Sequence, residues 1–242
     1  MTQQQKTIII TGASQGIGAS VVNAFLARGY NVVATSRSIS KSASFAPSER
    51  LALVDGDIGE MATATKIVAT AMQKFGAIDA LVNNAGIFFP KPFVDYTEDD
   101  FKALVRTNLE GYLYISQLVI KQMLVQNRGG SILGISSSLV DNPIKGLTVA
   151  VPMVTKGGIN SISRSLSMEY AKDGIRFNIV APGMVDTPLH KNDPRDFLES
   201  MSPMGQIASA EEIADAVVYL TEAKQVTGEV LHVDGGAHIG KW

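Results

Sequence analysis

The sequence predicts an α/β fold in which βαβ units surround a buried parallel sheet of about seven strands. Three observations predict it. Seven short β-branched or apolar runs alternate with longer stretches of helical period, the pattern of strands covered on both faces. The first run leads straight into a glycine-rich turn and then a helical pattern. No Pro-, Gly- or charge-rich stretch interrupts the 242 residues, so residues 1–242 are expected to form one domain with a sizeable core.

Thr7 to Thr11 is the first expected strand, and Ile17, Val21, Val22, Phe25 and Leu26 recur after it at helical spacing. Asn31 to Ser36 reads as the second strand. The serine-rich segment from Ser38 to Ser48 reads as a loop before a third strand, Leu51 to Val54. Ala80 to Asn83 is the fourth. Thr97-x-x-Asp100 is a variant capping box that starts a helix near Glu98, and one long helix is expected from Asp99 to Gln126. Leu104, Tyr112, Ile115, Leu118, Val119 and Met123 give that helix apolar surface for core and partner both. Ser131 to Ser136 follows as a strand, then a helix with Pro152 in its first turn, where a missing N–H is tolerated. Arg176 to Val180 is the sixth strand. Met184 to Gly205, with Pro188, Pro194 and Pro203, is expected to be irregular. Ser209-x-x-Glu212 is a full capping box for a helix starting near Ala210, and Val230 to Val233 is the last strand. Asp234-Gly235-Gly236 reads as a turn without chemistry.

A net charge of −2 gives no reason to expect nucleic acid or an anionic membrane as partner. The absence of cysteine excludes disulfides and thiolate metal sites, and no metal is expected. No apolar run approaches the length of about 20 residues that spans a bilayer. Met1 to Gln5 is polar, unlike a secretion signal, so a cytoplasmic location is expected.

The turn Gly12-Ala13-Ser14-Gln15-Gly16-Ile17-Gly18 lies between a buried strand and an amphipathic helix, which is the context a dinucleotide site needs. Glycines allow positive φ and close approach of the backbone to a pyrophosphate, and unpaired N–H groups at the helix start attract its charge. Gly12, Ser14, Gln15, Gly16, Ile17 and Gly18 are therefore candidate cofactor residues. Where NAD-choosing folds commonly end the second strand with an acid, this chain has Ser36-Arg37. A guanidinium without a competing carboxylate suits the 2′-phosphate, so NADP(H) is expected over NAD(H). Gln15, standing where a base would help, weighs the other way.

Asn83-Asn84-Ala85-Gly86, Asn108, Ser136-Ser137-Ser138, Lys156, Pro182-Gly183 and Asp234-Gly235-Gly236 follow the glycine turn in a characteristic order and spacing. With them the chain resembles the short-chain dehydrogenase/reductases from Thr7 to Gly236. The resemblance implies a Rossmann-type, doubly wound parallel sheet with helices on both faces. It implies a dinucleotide with adenine at Asp57 and Ile58, ribose beside Asn84, Ala85 and Gly86, and nicotinamide at Pro182, Gly183, Val185 and Thr187. It implies that Asn108 orders a helix carbonyl and a relay water, that Ser137 bonds the substrate oxygen and that Lys156 binds the nicotinamide ribose. It further implies a substrate covered by the region 184–205, and a homo-tetramer or homo-dimer. One element departs: the family's proton-donating tyrosine, four residues before the lysine, is replaced here by Pro152.

Losing a general acid forfeits about 10² to 10⁴ in rate, so ordinary ketone reduction is expected to be weak. Tyr112 shares a helical face with Asn108 and could substitute, though a core aromatic is its plainer reading. His190 in the covering region is a second option, with a solvated loop histidine as the plainer reading. Ser138 and Asp141 are near only in sequence. A substrate needing less acid, an enone or an imine, is another route. The function expected is thus an NADP(H)-dependent oxidoreductase with altered proton delivery to a small carbonyl, enone or imine. The competing class is a nucleotide-binding protein with little turnover, acting as a sensor or assembly subunit.

Overall fold

Thr7–Thr11 (β1), Asn31–Ser36 (β2), Leu51–Asp55 (β3), Ala80–Asn83 (β4), Gly130–Ile135 (β5), Ile175–Pro182 (β6) and Val230–Val233 form one parallel sheet in the computed structural model, which describes residues 5–42 and 44–240. The polar start Met1 to Gln4, and Ala43 of the serine-rich segment, lie outside the described residues. A short strand pair, Val185–Asp186 (β7) and Ala208–Ser209 (β8), stands apart, so Val230–Val233 is β9. The order across the sheet is β3-β2-β1-β4-β5-β6-β9.

Alternation along β1 shows why its run is apolar throughout. Ile8 and Ile10 enter one fully buried layer with Val21, Val22 and Phe25 of α1 (Gly16–Ala27) and Ile213 and Val217 of α7 (Ala210–Glu222). Ile9, pointing the other way, joins Ile67 of α2 (Met61–Phe75) and Ile115 and Val119 of α4 (Gly111–Gln126). Each such side chain contributes about 1.5–3 kcal/mol of apolar burial. Two helical layers therefore clamp the sheet, with α5 (Ala150–Glu169) packed on β6 in the second.

Both expected capping boxes form. Thr97 and Asp100 cap α3 (Glu98–Leu104), and Ser209 and Glu212 cap α7, each by reciprocal side-chain and backbone bonds. The single helix expected from Asp99 to Gln126 is instead α3, a π-helical turn over Val105–Glu110, and α4. The extra residue in that turn lies where Asn108 is buried, a local rule-break that often marks functional segments.

The serine-rich segment is a loop with one short 3₁₀ turn at Ile39–Lys41. It is anchored rather than free: Ile39 is fully buried, and Ser44 donates to the Ser14 carbonyl at 2.8 Å. The region after β6 is less irregular than its prolines imply, because Val185 and Asp186 pair with Ala208 and Ser209 and a short helix, α6 (Arg195–Glu199), lies between. Among the described residues no helix is long and apolar enough to cross a membrane.

Candidate functional site

After β1 the chain turns toward β2 and β3, and after β4 toward β5, β6 and β9, so the neighbours β1 and β4 mark a topological switch point. Ligands of open α/β sheets bind at the carboxyl ends of such strands. A cleft of about 330 Å³ opens there.

Its glycine wall is built by close backbone approach. Gly12 has φ +64°, and a Cβ there would stand 2.7 Å from the Ala85 Cα. Gly18 faces the Gly12 carbonyl and the Asn84 amide, so any side chain would force α1 away from the turn. Thr11 ties the two strand ends together: its hydroxyl accepts from the N–H of Asn84 (3.1 Å) and Ala85 (3.0 Å). The Asn84 amide returns bonds to the carbonyls of Thr11 and Gly12, both at 3.0 Å. The sequence placed Thr11 at the end of the first strand, directly before the glycine turn, without giving it a role in the site.

The start of α1 is bare. Gln15 gives it no side-chain cap, and no acid occupies its first turn. Its first N–H groups lack intrahelical partners and, with the helix dipole, form a positive end facing the cleft.

The cleft wall brings together Gly12, Gln15, Gly16, Ile17, Asn84 and Gly86 with Ser137, Lys156, Pro182, Gly183, Val185 and Thr187 from the facing side. Gly18, Ala85 and Asn108 stand behind that lining and support it, the first two against Gly12 and the third through its bonds to Ile87. Ser14, Ser36, Arg37, Asp57 and Ile58 also lie outside the lining. Ser36 is half-buried at the end of β2 and Arg37 is exposed. The Asp57 carboxylate accepts from the Gly59 N–H (3.0 Å) and pairs with Arg106 (3.3 Å), while Ile58 is buried against Gly111. Asp55 is held below its usual carboxylate range by the hydroxyl and N–H of Ser40.

On the chemical side, the Ser137 hydroxyl accepts from the Leu139 N–H at 3.3 Å and so keeps its own proton to donate. Lys156 donates to the Ile135 carbonyl at 2.9 Å, and burial brings its ammonium down to about 8. Asn108 is fully engaged: its Oδ1 accepts from the Ile87 N–H (2.8 Å), and its Nδ2 donates to the Ile87 carbonyl and the Thr155 hydroxyl (both 3.0 Å). Pro152 is buried in the first turn of α5, where its carbonyl accepts from the Thr155 hydroxyl at 2.8 Å.

The other candidates separate cleanly. Tyr112 is buried with no hydrogen-bond partner for its hydroxyl; burial pushes the phenol up, and Ser163 stands beside it outside hydrogen-bond geometry. Ser138 is buried, and the Asp141 carboxylate is joined to His232 at 2.9 Å. His190 departs from its solvated reading: it lines the cleft, its side chain is 18% exposed, and its Nδ1 lies 2.7 Å from the Asp193 carboxylate. Ile87, Phe88, Leu139 and Met184, not singled out in sequence, join Leu189 in making the neighbouring wall apolar.

A Rossmann-type sheet with a glycine cradle at its switch point defines the class of fold. A family model described as enoyl-(acyl carrier protein) reductase matches residues 12–238. The L-rhamnose 1-dehydrogenase (NAD(P)(+)) of Sphingomonas sp. (strain SKA58) is 34% identical over 249 residues, which cover 97% of this chain and 96% of that protein. The 3-oxoacyl-(acyl-carrier-protein) reductase FabG of Salmonella typhimurium is 33% identical, covering 99% of this chain and 100% of its own. Among solved structures, ElxO with NADP bound superposes with a TM-score of 0.91 at 27% identity, covering 98% of this chain and all (100%) of ElxO. The chain belongs to the short-chain dehydrogenase/reductase family.

Proposed function

We propose that the protein is an NADP(H)-dependent oxidoreductase that reduces a small carbonyl, enone or imine, with proton delivery that does not use a tyrosine. The observation that carries this reading is the convergence of a bare helix start, a glycine cradle, Ser137 and Lys156 on one cleft. The residues fit a dinucleotide: side chains at Gly12 or Gly18 would fill the cradle, and the uncapped N–H groups of α1 are the partners a pyrophosphate requires.

When bound, the reduced dinucleotide supplies the hydride. The chain's own residues do the rest. The α1 start and the Gly12–Gly16 turn hold the diphosphate. Lys156, passing alongside Gly86, offers its two remaining N–H donors to the nicotinamide ribose. Pro182, Gly183, Val185 and Thr187 border the nicotinamide, and Asp57 and Ile58 the adenine. Ser137 donates to the substrate oxygen as negative charge develops on it. Asn108 holds Ile87 and Thr155 in place between the two walls. The apolar wall suits a substrate with a hydrocarbon body.

Several relatives support the redox class through their names, and ElxO is known with NADP bound. A tyrosine-to-phenylalanine variant of ElxO holds NADPH, so loss of a tyrosine hydroxyl is compatible with a loaded cofactor site in a neighbour of this fold. A 3-ketoacyl-(acyl-carrier-protein) reductase from Brucella melitensis binds NADH instead, so the choice of NADP here rests on Ser36 and Arg37. Arg37→Ala should weaken NADPH about tenfold and NADH less than twofold, the size of one lost charge-assisted bond; equal losses would remove the phosphate role. The second reading, a nucleotide-binding protein without turnover, rests on Pro152 standing in place of the tyrosine, and the redox names of the relatives do not favour it. NADPH oxidation against a panel of ketones, enones and imines decides: saturable NADPH binding with no oxidation by any member overturns the oxidoreductase reading.

A further inference from the structure

We infer that His190, oriented by Asp193, is the group that protonates the substrate; this rests on the oxidoreductase reading above.

Among the described residues lining the cleft there is no Tyr, Cys, Asp or Glu, and the titratable side chains are Lys156 and His190. Lys156 is bonded to the Ile135 carbonyl and reaches the cleft beside Gly86, where the proposed ribose lies. Tyr112 is sealed in the core, and Asp141 is tied to His232. His190 remains.

Its placement is fixed through the backbone. The His190 N–H donates to the Thr187 carbonyl at 3.0 Å, and the Asp193 N–H donates to the His190 carbonyl at 3.0 Å. Thr187 in turn packs where a Cβ on Gly16 would meet it at 3.3 Å, so this turn is indexed to the glycine cradle. The second turn brings the Asp193 carboxylate 2.7 Å from Nδ1. With Nδ1–H directed to the carboxylate, Nε2 is the nitrogen left for the cleft. A carboxylate that fixes the tautomer and orientation of an imidazole is the arrangement general acid–base catalysis needs.

The hydride, with its electron pair, comes from the reduced dinucleotide to the electrophilic carbon of the substrate and breaks its C=O π bond. The Nε2–H bond of the imidazolium breaks, an O–H bond forms on the substrate oxygen, and a neutral imidazole is left to take a proton from water.

His190→Gln keeps size and polarity but cannot exchange the proton. In single-turnover oxidation of NADPH by a cyclic ketone it should slow the reaction about a hundredfold and leave the NADPH dissociation constant within about twofold. Asp193→Asn should slow it about tenfold. Adding Pro152→Tyr to His190→Gln should raise the rate by a larger factor than the same change does in the wild type, a difference that a merely structural role for His190 would not produce. Nitrogen-15 NMR of labelled histidine, assigned with His190→Gln, gives a reading independent of turnover: neutral His190 should be the Nδ1–H tautomer, and Asp193→Asn should mix the tautomers. Turnover by His190→Gln within threefold of the wild type overturns the inference, as does an Nε2–H tautomer in the wild type. If the wild type oxidises no NADPH with any ketone, enone or imine, the oxidoreductase reading itself fails; if it turns over and His190→Gln matches it, only the role of His190 fails.

Discussion

The two halves of the cleft are built by opposite means. The glycine half is made almost wholly of backbone: positive φ at Gly12 and Gly16, an uncapped helix start, and strand ends cross-bonded through Thr11 and Asn84. The facing half depends on individual side chains, Ser137, Lys156 and His190, carried just past β5, on α5 and on a 3₁₀ turn over Pro188–His190. Backbone sites fail by steric intrusion, whereas side-chain sites fail one functional group at a time. The same lesson separates the helix starts: α3 and α7 satisfy their own first N–H groups through complete capping boxes, while α1 leaves them bare. A capped start stabilises the fold, and a bare one is available to an anion.

The sharpest break in this comparison is Gly18→Val. Its side chain would enter the contact between Gly18, the Gly12 carbonyl and the Asn84 amide, costing about 3 kcal/mol or more of overpacking and abolishing measurable NADPH binding. Calorimetry and cofactor fluorescence check both, and normal affinity would mean the cradle is not built as described. A smaller effect is expected on the other side. Pro152→Tyr should leave cofactor affinity unchanged and raise ketone reduction at least tenfold, because a phenol would add a second proton donor. No gain in steady-state rate would show that the pocket around α5 has no room for that hydroxyl.

Most of the backbone half was legible in the sequence, because its causes are local. Four strands, β1, β2, β4 and β9, have the limits their β-branched runs predict, and both capping boxes start helices at the expected residues. The π-helical turn at Asn108 was not legible, since its extra residue is favoured by burial of one amide between Ile87 and Thr155 rather than by any local pattern. The pairing of β7 with β8 was hidden for a similar reason: two-residue strands carry no periodicity, and their partners are 23 positions apart, from Val185 to Ala208. His190 shows the limit best. Its type suggested proton exchange, but only the fold could bring it to the cleft and Asp193 to its Nδ1.

At Lys156 the side-chain half carries a cost. Burial lowers the lysine from its ordinary 10.5 to about 8 in the folded chain. Between those values the unfolded chain holds a proton that the folded chain has released, so this group makes stability rise with pH from about 8 to 10.5. Below about pH 8 the folded protein carries a desolvated ammonium whose compensation is one bond to the Ile135 carbonyl. Lys156→Met removes that charge. It should stabilise the protein at pH 7 by on the order of 2 kcal/mol, with the gain closing as the pH approaches the ordinary lysine range. The same variant should bind NADPH more weakly at pH 7, because the donors proposed for the ribose are gone. Thermal melts across that interval, paired with cofactor titrations, check the two signs together: a variant less stable than the wild type at pH 7 would show that the ammonium is held by the fold and not merely tolerated for the site.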